Sequence, residues 1–367
     1  MEGKIITLVV LSFEKAQILK TLLETEDVKC FLENTNLIQG AVSTGVKVRI
    51  SESDLEKAML VLEGMMSEEL EPVEVSDLPP RILLPIDFSD YSRKAAIFAL
   101  NWAKLLNAEL TVLHTYFNPI ISTMPFSDTF AYEVNTKEMM VELEDSAREN
   151  MEKMKVFLNQ ENEKLSERVE LKIELVKGIA EDEIIKYSRK YQPLVIIMGT
   201  RGADRKAADL IGSVTAEVME GSKVPVMAIP ENFEFHGMGE MKKMLYATDF
   251  QEADFKTLQK LENLLKPLEM NITCAHVSSK EHSQWDEVRM TGLKEHIKKN
   301  YSEEKVQCDL IEHEDLFVGI ESYVNSNKIN MLAFTRRKRN LISRIINPNL
   351  AKKMLFHSTT PLLVFND

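Results

Sequence analysis

Short apolar runs, separated by helical patterns, dominate the chain between residues 81 and 230. Residues 82–86, 110–115, 194–198 and 224–229 are nearly continuously apolar, which is typical of strands buried on both faces of a parallel sheet. Residues 169–175 alternate apolar and charged side chains, which predicts a half-exposed edge strand. Amphipathic helical patterns occupy residues 91–106, 136–165, 180–191 and 214–222. This βαβαβαβαβ order predicts a doubly wound parallel α/β domain with five strands.

The C-terminal part of the chain repeats this pattern. Placing residues 82–88 over residues 244–250 aligns Asp87 with Asp249, and the same offset aligns His114 with His276. An internal duplication of roughly 140 residues is therefore predicted. We call residues 81–230 the first repeat and residues 241–367 the second repeat.

Residues 1–66 have a different pattern, with strand signals at 4–11, 28–32 and 46–50 and helix signals at 14–23 and 54–65. They predict a small α+β domain of the ferredoxin-like kind, close to the smallest size that folds alone. Residues 67–80 and 231–240 combine Pro or Gly with charged side chains, which is typical of solvated linkers. The predicted domains are thus 1–66, 81–230 and 241–367.

Composition narrows the class of protein. The chain has 367 residues, of which 44% are hydrophobic and 28% charged, as in ordinary globular proteins. Its net charge of −13 argues against a protein that coats nucleic acid or adheres to an anionic membrane. It has no apolar run long enough to span a bilayer, and its three cysteines form no C-x-x-C motif. We therefore expect a cytoplasmic protein without a membrane partner.

A glycine-rich segment follows the fourth predicted strand. Gly199 and Gly202 allow a tight turn and a close approach of the backbone to a ligand. Gly212 and Ser213 open the next helix, whose free N–H groups suit phosphate oxygens, and Ser213 is predicted to cap it. If the first and fourth strands are neighbours, Asp87 faces this loop across the crevice where ligands bind in such sheets. The segment predicts a nucleotide site, with a ligand-free tight turn and helix cap as the alternative.

These residues carry a resemblance to a known family. The segment Pro85-Ile86-Asp87-Phe88-Ser89, His114 and the spacing Gly199-x2-Gly202-x9-Gly212-Ser213 together resemble the universal stress protein family. The resemblance covers the first repeat and, more weakly, the second, so the chain is similar to a tandem universal stress protein. It implies two doubly wound parallel five-stranded sheets of strand order 3-2-1-4-5, the adenine nucleotide alpha hydrolase-like fold, preceded by the small α+β domain.

The resemblance also implies a ligand, because members of the family with this glycine pattern bind ATP. ADP or AMP are the alternatives, and Mg²⁺ is expected to accompany the nucleotide without a metal site of the protein's own. Pro85, Asp87 and Thr115 would hold adenine and ribose; Thr115 stands where the family usually has Val. The residues implied for ribose and phosphates are Gly199, Thr200, Arg201, Gly202, Ala203, Asp204, Arg205, Gly212, Ser213, Val214 and Thr215.

The second repeat lacks every glycine of this motif. Phe334 stands in place of Gly199, Arg337 in place of Gly202, and Pro348-Asn349 in place of Gly212-Ser213. Side chains there would fill the space that a phosphate needs, so we predict a degenerate repeat that does not bind ATP. The basic run 336–339 is open to two interpretations, an anion- or nucleic-acid-binding loop and a solvated or partner-facing surface.

The predicted function is an ATP-binding regulatory protein of the stress response. Slow ATP hydrolysis is compatible with this role, but catalysis is not expected because the loop offers no general base with a convincing partner. One alternative is an adenylylating or ATP-pyrophosphatase-like enzyme of the same superfamily, although the S-G-G-x-D-S and H-x-G-H signatures of such enzymes are missing after the first strand. The other alternative is a ligand-free interaction scaffold.

Partners are predicted from the sheet edges. The last strand of each repeat is apolar, and an exposed apolar edge usually finds a partner. We expect the two edges to pair antiparallel, so that the repeats form a pseudo-twofold pair within one chain; the resemblance also allows a homodimer. The N-terminal domain is similar to a small bacterial signal-transducing domain through Phe31-Leu32-Glu33-Asn34, which implies no chemistry.

Overall fold

The computed structural model describes residues 5–11, 13–34, 46–68, 79–116, 129–200, 212–250, 252–279, 283–300, 305–336 and 359–366. The chain forms two compact units. We call residues 1–76 with 243–327 the N-unit, and residues 77–242 with 328–367 the C-unit.

The strands, in chain order, are β1 (Ile5–Leu11), β2 (Cys30–Asn34), β3 (Val46–Ser51), β4 (Arg81–Ile86), β5 (Glu109–Tyr116), β6 (Leu171–Lys177), β7 (Val195–Gly199), β8 (Val226–Ile229), β9 (Lys243–Ala247), β10 (Asn271–Ser278), β11 (Val306–Glu312), β12 (Met331–Arg336) and β13 (Leu362–Asn366). The helices are α1 (Phe13–Thr25), α2 (Leu55–Glu68), α3 (Asp90–Leu106), α4 (Thr129–Glu163), α5 (Ala180–Tyr191), α6 (Ser213–Gly221), α7 (Glu252–Leu265), α8 (Ser283–Asn300) and α9 (Leu316–Asn327).

The sheet of the C-unit contains all five strands of the first repeat. Its strands follow the order β12-β13-β8-β7-β4-β5-β6 in the part of the chain that the structure describes. The five strands of the first repeat are parallel and have the order 3-2-1-4-5, so the predicted doubly wound fold is confirmed. The central strand β4 is buried from Ile82 to Ile86, as its continuous apolar run predicts. Strand β6 lies at the edge with half-exposed side chains, as the alternating pattern predicts.

In the C-unit, the terminal strands of the two repeats pair with each other. Strand β13 pairs antiparallel with β8, with Leu362 opposite Ala228 and Leu363 opposite Met227. Both strands are buried, and their pairing leaves neither of them with an unpaired apolar edge at this position. The pairing of the two strands is thus present, whereas the pseudo-twofold relation of the complete repeats stays a prediction.

The segment predicted to be a solvated linker, residues 231–240, packs against helix α3 instead. The rings of Phe233 and Phe235 contact Phe98, with centroids 5.8 Å and 5.4 Å apart. Glu231 accepts a hydrogen bond from the Tyr91 hydroxyl at 2.9 Å, and its carbonyl accepts one from Lys94 at 2.7 Å. The segment is therefore only partly solvated, because its two aromatic side chains bury apolar area against α3, and its role as a linker stays a prediction.

The N-unit combines the small N-terminal domain with part of the second repeat. Strands β1, β3 and β2 form an antiparallel sheet in that order, and β11, β10 and β9 form a parallel one. Alternate residues of β3 are buried among α1 and α2, which confirms the predicted α+β domain. This domain contacts helix α8, where Arg289 donates a hydrogen bond to the Thr7 carbonyl and Gly292 lies against Met59.

Candidate functional site

The centre of the first repeat is a crevice between two neighbouring strands. Strand β4 pairs with β5 as far as Ile86, but its pairing with β7 ends at Leu83. The Arg81 carbonyl accepts a hydrogen bond from Leu194 next to β7, and main-chain groups alternate along a strand, so Pro85 faces β7 with no N–H to donate. The carboxyl ends of β4 and β7 therefore separate at the point where the winding of the sheet reverses, which is where ligands bind in doubly wound sheets.

Asp87 lies at the edge of this crevice, directly after β4. One oxygen, Oδ1, accepts hydrogen bonds from the Ser89 N–H at 3.1 Å, the Ser89 hydroxyl at 2.6 Å and the Ser92 hydroxyl. The Asp87 N–H in turn donates to Ser92 Oγ at 3.1 Å, and Ser89 caps helix α3. The two serines hold the carboxylate in place, and sequence reasoning missed their role. A signal was available, because an Asp followed by two serines at a strand-to-helix junction is typical of capping turns.

His114 joins the ends of β4 and β5. Its Nδ1 lies 2.8 Å from the Ile86 carbonyl, which can only accept, so the proton is on Nδ1. Its ring also contacts Phe88, whose backbone is left-handed with φ of 64°. Burial lowers the pKa of His114 below its ordinary value, more than the Ile86 carbonyl and Asp87 raise it. His114 is therefore a neutral structural residue, and Thr115, the next residue of β5, is half-buried beside it.

The glycine-rich segment begins where β7 ends. The Thr200 N–H donates to the Ile229 carbonyl at 3.0 Å, and the Gly212 N–H donates to the Thr200 carbonyl at 2.6 Å. Thr200 and Gly212, which flank residues 201–211, are thus joined by a hydrogen bond. Neither Gly199 nor Gly212 has a left-handed φ, so neither is required here for its backbone freedom. The other predicted loop residues, Arg201, Gly202, Ala203, Asp204 and Arg205, lie outside the described residues.

Within the described residues, no side chain caps the first amides of helix α6. Its N-cap is Gly212, and its first turn has no acidic residue. Ser213 is the first helical residue and is exposed, so the prediction that Ser213 caps the helix was wrong by one position. Thr215 is buried, and its hydroxyl donates to the Gly199 carbonyl at 2.8 Å, which holds α6 on β7. Uncapped amides at a helix N-terminus are a favourable place for an anion.

The corresponding place in the second repeat is built differently. Asp254 is only 2% exposed and lies where the aligned sequence of the first repeat has Ser92. Its carboxylate accepts hydrogen bonds from the Tyr246 hydroxyl at 2.8 Å, the Thr248 hydroxyl at 2.9 Å and the Asp249 N–H at 3.0 Å. A buried carboxylate with three donors is well satisfied, so this acid has a structural role.

His276 has an acidic partner, Asp286, on the helix that follows its strand. Its Nδ1 lies 2.7 Å from the Thr248 carbonyl, and its Nε2 lies 3.5 Å from Asp286, which also accepts from the Ser278 hydroxyl at 2.6 Å. Burial alone would lower the pKa of His276, but the hydrogen bond and charge of Asp286 outweigh it and raise the pKa. A pocket of about 300 Å³ opens beside this pair. Its lining residues are His276, Val277, Ser279, Asp286, His313, Glu314 and Leu316.

Arg336, the first residue of the basic run 336–339, is engaged within the C-unit. Its guanidinium donates to the Glu220 carbonyl at 2.6 Å and to the Glu220 carboxylate at 2.7 Å. Its side chain is only 14% exposed. Arg336 is thus paired with a carboxylate and largely shielded from solvent, while residues 337–339 lie outside the described part of the chain.

In the part of the chain that the structure describes, no group of three or more His, Cys, Asp or Glu side chains has an arrangement that could hold a metal ion. Over the same residues, no helix combines the length and apolar character needed to cross a membrane.

Comparison with protein-family models matches residues 80–230 and again residues 240–366 to the Universal stress protein family. The chain belongs to the universal stress protein family. The two matched segments confirm the predicted tandem arrangement. Residues 14–66 match a second family, whose description is "Putative prokaryotic signal transducing protein".

Individual relatives agree with this membership. The chain is 29% identical over 156 residues to Universal stress protein MJ0531 of Methanocaldococcus jannaschii, a match covering 42% of this chain and 83% of the relative. It is 24% identical over 169 residues to Stress response protein NhaX of Bacillus subtilis, covering 41% and 96%. A solved universal stress protein from Archaeoglobus fulgidus shares the fold, with a TM-score of 0.55 and 21% identity over 78% of this chain and 96% of that one.

Proposed function

We propose that the first repeat of this universal stress protein binds ATP, and that the protein acts in a stress response by binding the nucleotide. The observation that carries the proposal is the N-terminus of α6, which no described side chain caps. It follows Gly199 of β7, at the carboxyl end of the parallel strands, where doubly wound sheets bind ligands. The names of the curated relatives support a role in stress responses.

The two ends of the crevice suit the two ends of a nucleotide. Asp87 is an acceptor, so it fits the hydroxyl and amine donors of ribose and adenine, beside Pro85 and Thr115. The amides of α6, the Ser213 hydroxyl and the glycine segment fit the phosphates. Thr215 differs from this set because its hydroxyl already donates to Gly199, so its role is to position α6.

Any Mg²⁺ would be held chiefly by the phosphates, since Mg²⁺ at nucleotide sites takes substrate oxygens and water as well as carboxylates. The groups predicted to bind the phosphates are mainly donors and glycines, which bind phosphates without activating water. Hydrolysis of ATP is therefore expected to be slow, and ADP or AMP to occupy the same site. The second repeat, with Phe334 in place of Gly199, is proposed to serve as a pairing domain without its own nucleotide.

Isothermal titration calorimetry of the full chain with ATP tests the proposal. We expect one site per chain, lost in Gly212→Val because a valine side chain would occupy the approach to the first amides of α6. Pro348→Val is the matched control, since Pro348 aligns with Gly212 in the degenerate repeat and its replacement should leave binding unchanged. Absence of ATP binding, or equal binding by Gly212→Val, would contradict the proposed site.

A second measurement separates binding from catalysis. Phosphate release by the purified protein should be far slower than one turnover per second. A rate of several turnovers per second that disappears in Asp87→Ala would show an enzyme instead of a nucleotide-binding regulator.

A further inference from the structure

The C-terminal end of α6 is held by side chains of the second repeat. The last carbonyl oxygens of a helix have no partner within the helix. Two of them in α6, on Met219 and Glu220, accept hydrogen bonds from the Asn366 amide at 2.9 Å and from the Arg336 guanidinium at 2.6 Å. Both donors lie at strand ends of the second repeat, Arg336 on β12 and Asn366 on β13. All four residues belong to the C-unit.

The contacts are strong ones for their kind. Arg336 uses a second guanidinium nitrogen to bind the Glu220 carboxylate at 2.7 Å, so that both its hydrogen bonds go to one residue. A cation at a helix C-terminus is also favoured by the helix dipole. Asn366 reaches the Ser222 carbonyl at 2.5 Å as well, which ties the residue after α6 to the same strand end.

Helix α6 is short enough for these contacts to act on its other end. Its nine residues span about 13 Å. The N-terminal end is fixed to β7 through Thr215 and Gly199, and the C-terminal end is fixed through Arg336 and Asn366. A helix of this length moves as a rigid body, so a shift at its C-terminal end also displaces the amides of Ser213 and Val214.

We infer that Arg336 and Asn366 are positioning residues for the nucleotide site of the first repeat. They hold α6 so that its uncapped amides face the crevice, and the second repeat thereby sets the nucleotide affinity of a site in which it has no residue. This inference rests on the proposed ATP site. Because coupling between sites is reciprocal, bound nucleotide also strengthens the contact between α6 and the strand ends β12 and β13.

The experiment measures ATP affinity by calorimetry on the full chain for the wild type, Arg336→Ala, Asn366→Ala and the double variant. We expect each single change to weaken binding about fivefold and the double change more, since coupling between sites is typically about 5- to 150-fold. Arg336→Lys keeps a cation at the helix end and should recover part of the affinity. The matched control is Arg168→Ala, which removes an exposed arginine whose ion pair with Glu163 lies on the surface.

A purely structural role is distinguished by three measurements on the same variants: unfolding in urea, thermal unfolding with and without ATP, and ATP affinity. Under our inference, ATP raises the melting temperature of the wild type by more than that of Arg336→Ala or Arg336→Lys. If the variants lose stability but bind ATP within twofold of the wild type under conditions where all are folded, the inference is wrong and the proposed site stands. If the wild type itself does not bind ATP, both are wrong. Hydrogen exchange of the α6 amides gives an independent readout, with faster exchange expected in Arg336→Lys.

Discussion

Strands β4 and β9 are the first strands of the two repeats. Within two residues of its end, each strand is followed by an Asp and then by a Phe with left-handed backbone. The φ angles are 64° at Phe88 and 58° at Phe250, values that cost a non-glycine residue strain energy. Each ring contacts the histidine of the next strand, with centroids 4.2 Å apart at His114 and 4.5 Å apart at His276. The strained turn and its contact with the histidine therefore occur in both repeats and belong to the fold itself.

The polar groups around the two turns are not equivalent. In the first repeat two serines bind the strand-end Asp87, whereas in the second a buried carboxylate, Asp254, gathers the donors. His276 also has an ion-pair partner, Asp286. Backbone geometry is thus similar in the two repeats, whereas the polar groups around the turn differ.

The largest expected effect concerns the pairing of β13 of the second repeat with β8 of the first. Leu363 is fully buried opposite Met227, so Leu363→Asp places a charge without a partner there. We expect the free energy of unfolding to fall by about 3–5 kcal/mol in urea titration. Leu194→Asp is the control, because Leu194 is 43% exposed and should lose far less. A loss below 1 kcal/mol for Leu363→Asp would contradict the buried pairing.

The next effect contrasts the two polar turns. Asp254→Ala removes the acceptor of three hydrogen bonds in a buried place and should lower the free energy of unfolding by about 2–4 kcal/mol. Ser92→Ala, at the aligned position, should cost about 1 kcal/mol. Chemical denaturation of both variants checks the order, and the reverse order would show that the serine turn is the more structural one.

A third prediction reverses that contrast and concerns affinity. Asp87→Ala should weaken ATP binding roughly 10- to 150-fold, the range for a hydrogen bond to a charged group. Asp249→Ala removes the aligned carboxylate of the degenerate repeat and should leave the affinity unchanged. Calorimetry of both variants makes the comparison, and equal losses would mean that the second repeat has a nucleotide site after all.

The smallest effect is a difference in pH dependence between the two histidines. The pKa of His276 is raised from 6.5, so its stabilising contribution is complete below pH 6.5 and is lost as pH rises through the raised value. The pKa of His114 is lowered from 6.5, so its contribution is present above pH 6.5 and is lost as pH falls towards the lowered value. The variants His276→Asn and His114→Asn should therefore change the slope of stability against pH in opposite directions.

Nuclear magnetic resonance titration of the two imidazoles measures the same difference directly. His276 should titrate above pH 6.5 and His114 below it. Replacing Asp286 by Asn should bring the midpoint of His276 down and leave that of His114 where it is, since Asp286 contacts only His276 of the two. Coinciding midpoints in the wild type would remove the electrostatic contrast between the repeats.

Much of the fold could be predicted from local sequence, because strands buried on both faces leave continuous apolar runs. Helix α5 matches its predicted bounds, and α3 and α6 begin one residue earlier than predicted. Asp87 and Gly199 could be placed at the same end of the sheet because they lie at the carboxyl ends of two parallel strands. The partners of Asp87 and His276 were harder to see, since Ser92 and Asp286 belong to the helices that follow and approach only after these pack on the sheet.

The periodicities, the duplication, the glycine segment of the first repeat and its loss in the second are all visible in the sequence. Each depends only on which residue types stand at which positions along the chain. Tertiary structure alone decided what Arg336 binds and where Phe233 and Phe235 lie. The bond between Arg336 and Glu220 joins residues far apart in the chain, and it exists because β13 pairs with β8 and so brings the end of β12 to the end of α6. A run of basic residues has the same appearance in a sequence whether its first side chain faces water or a helix terminus.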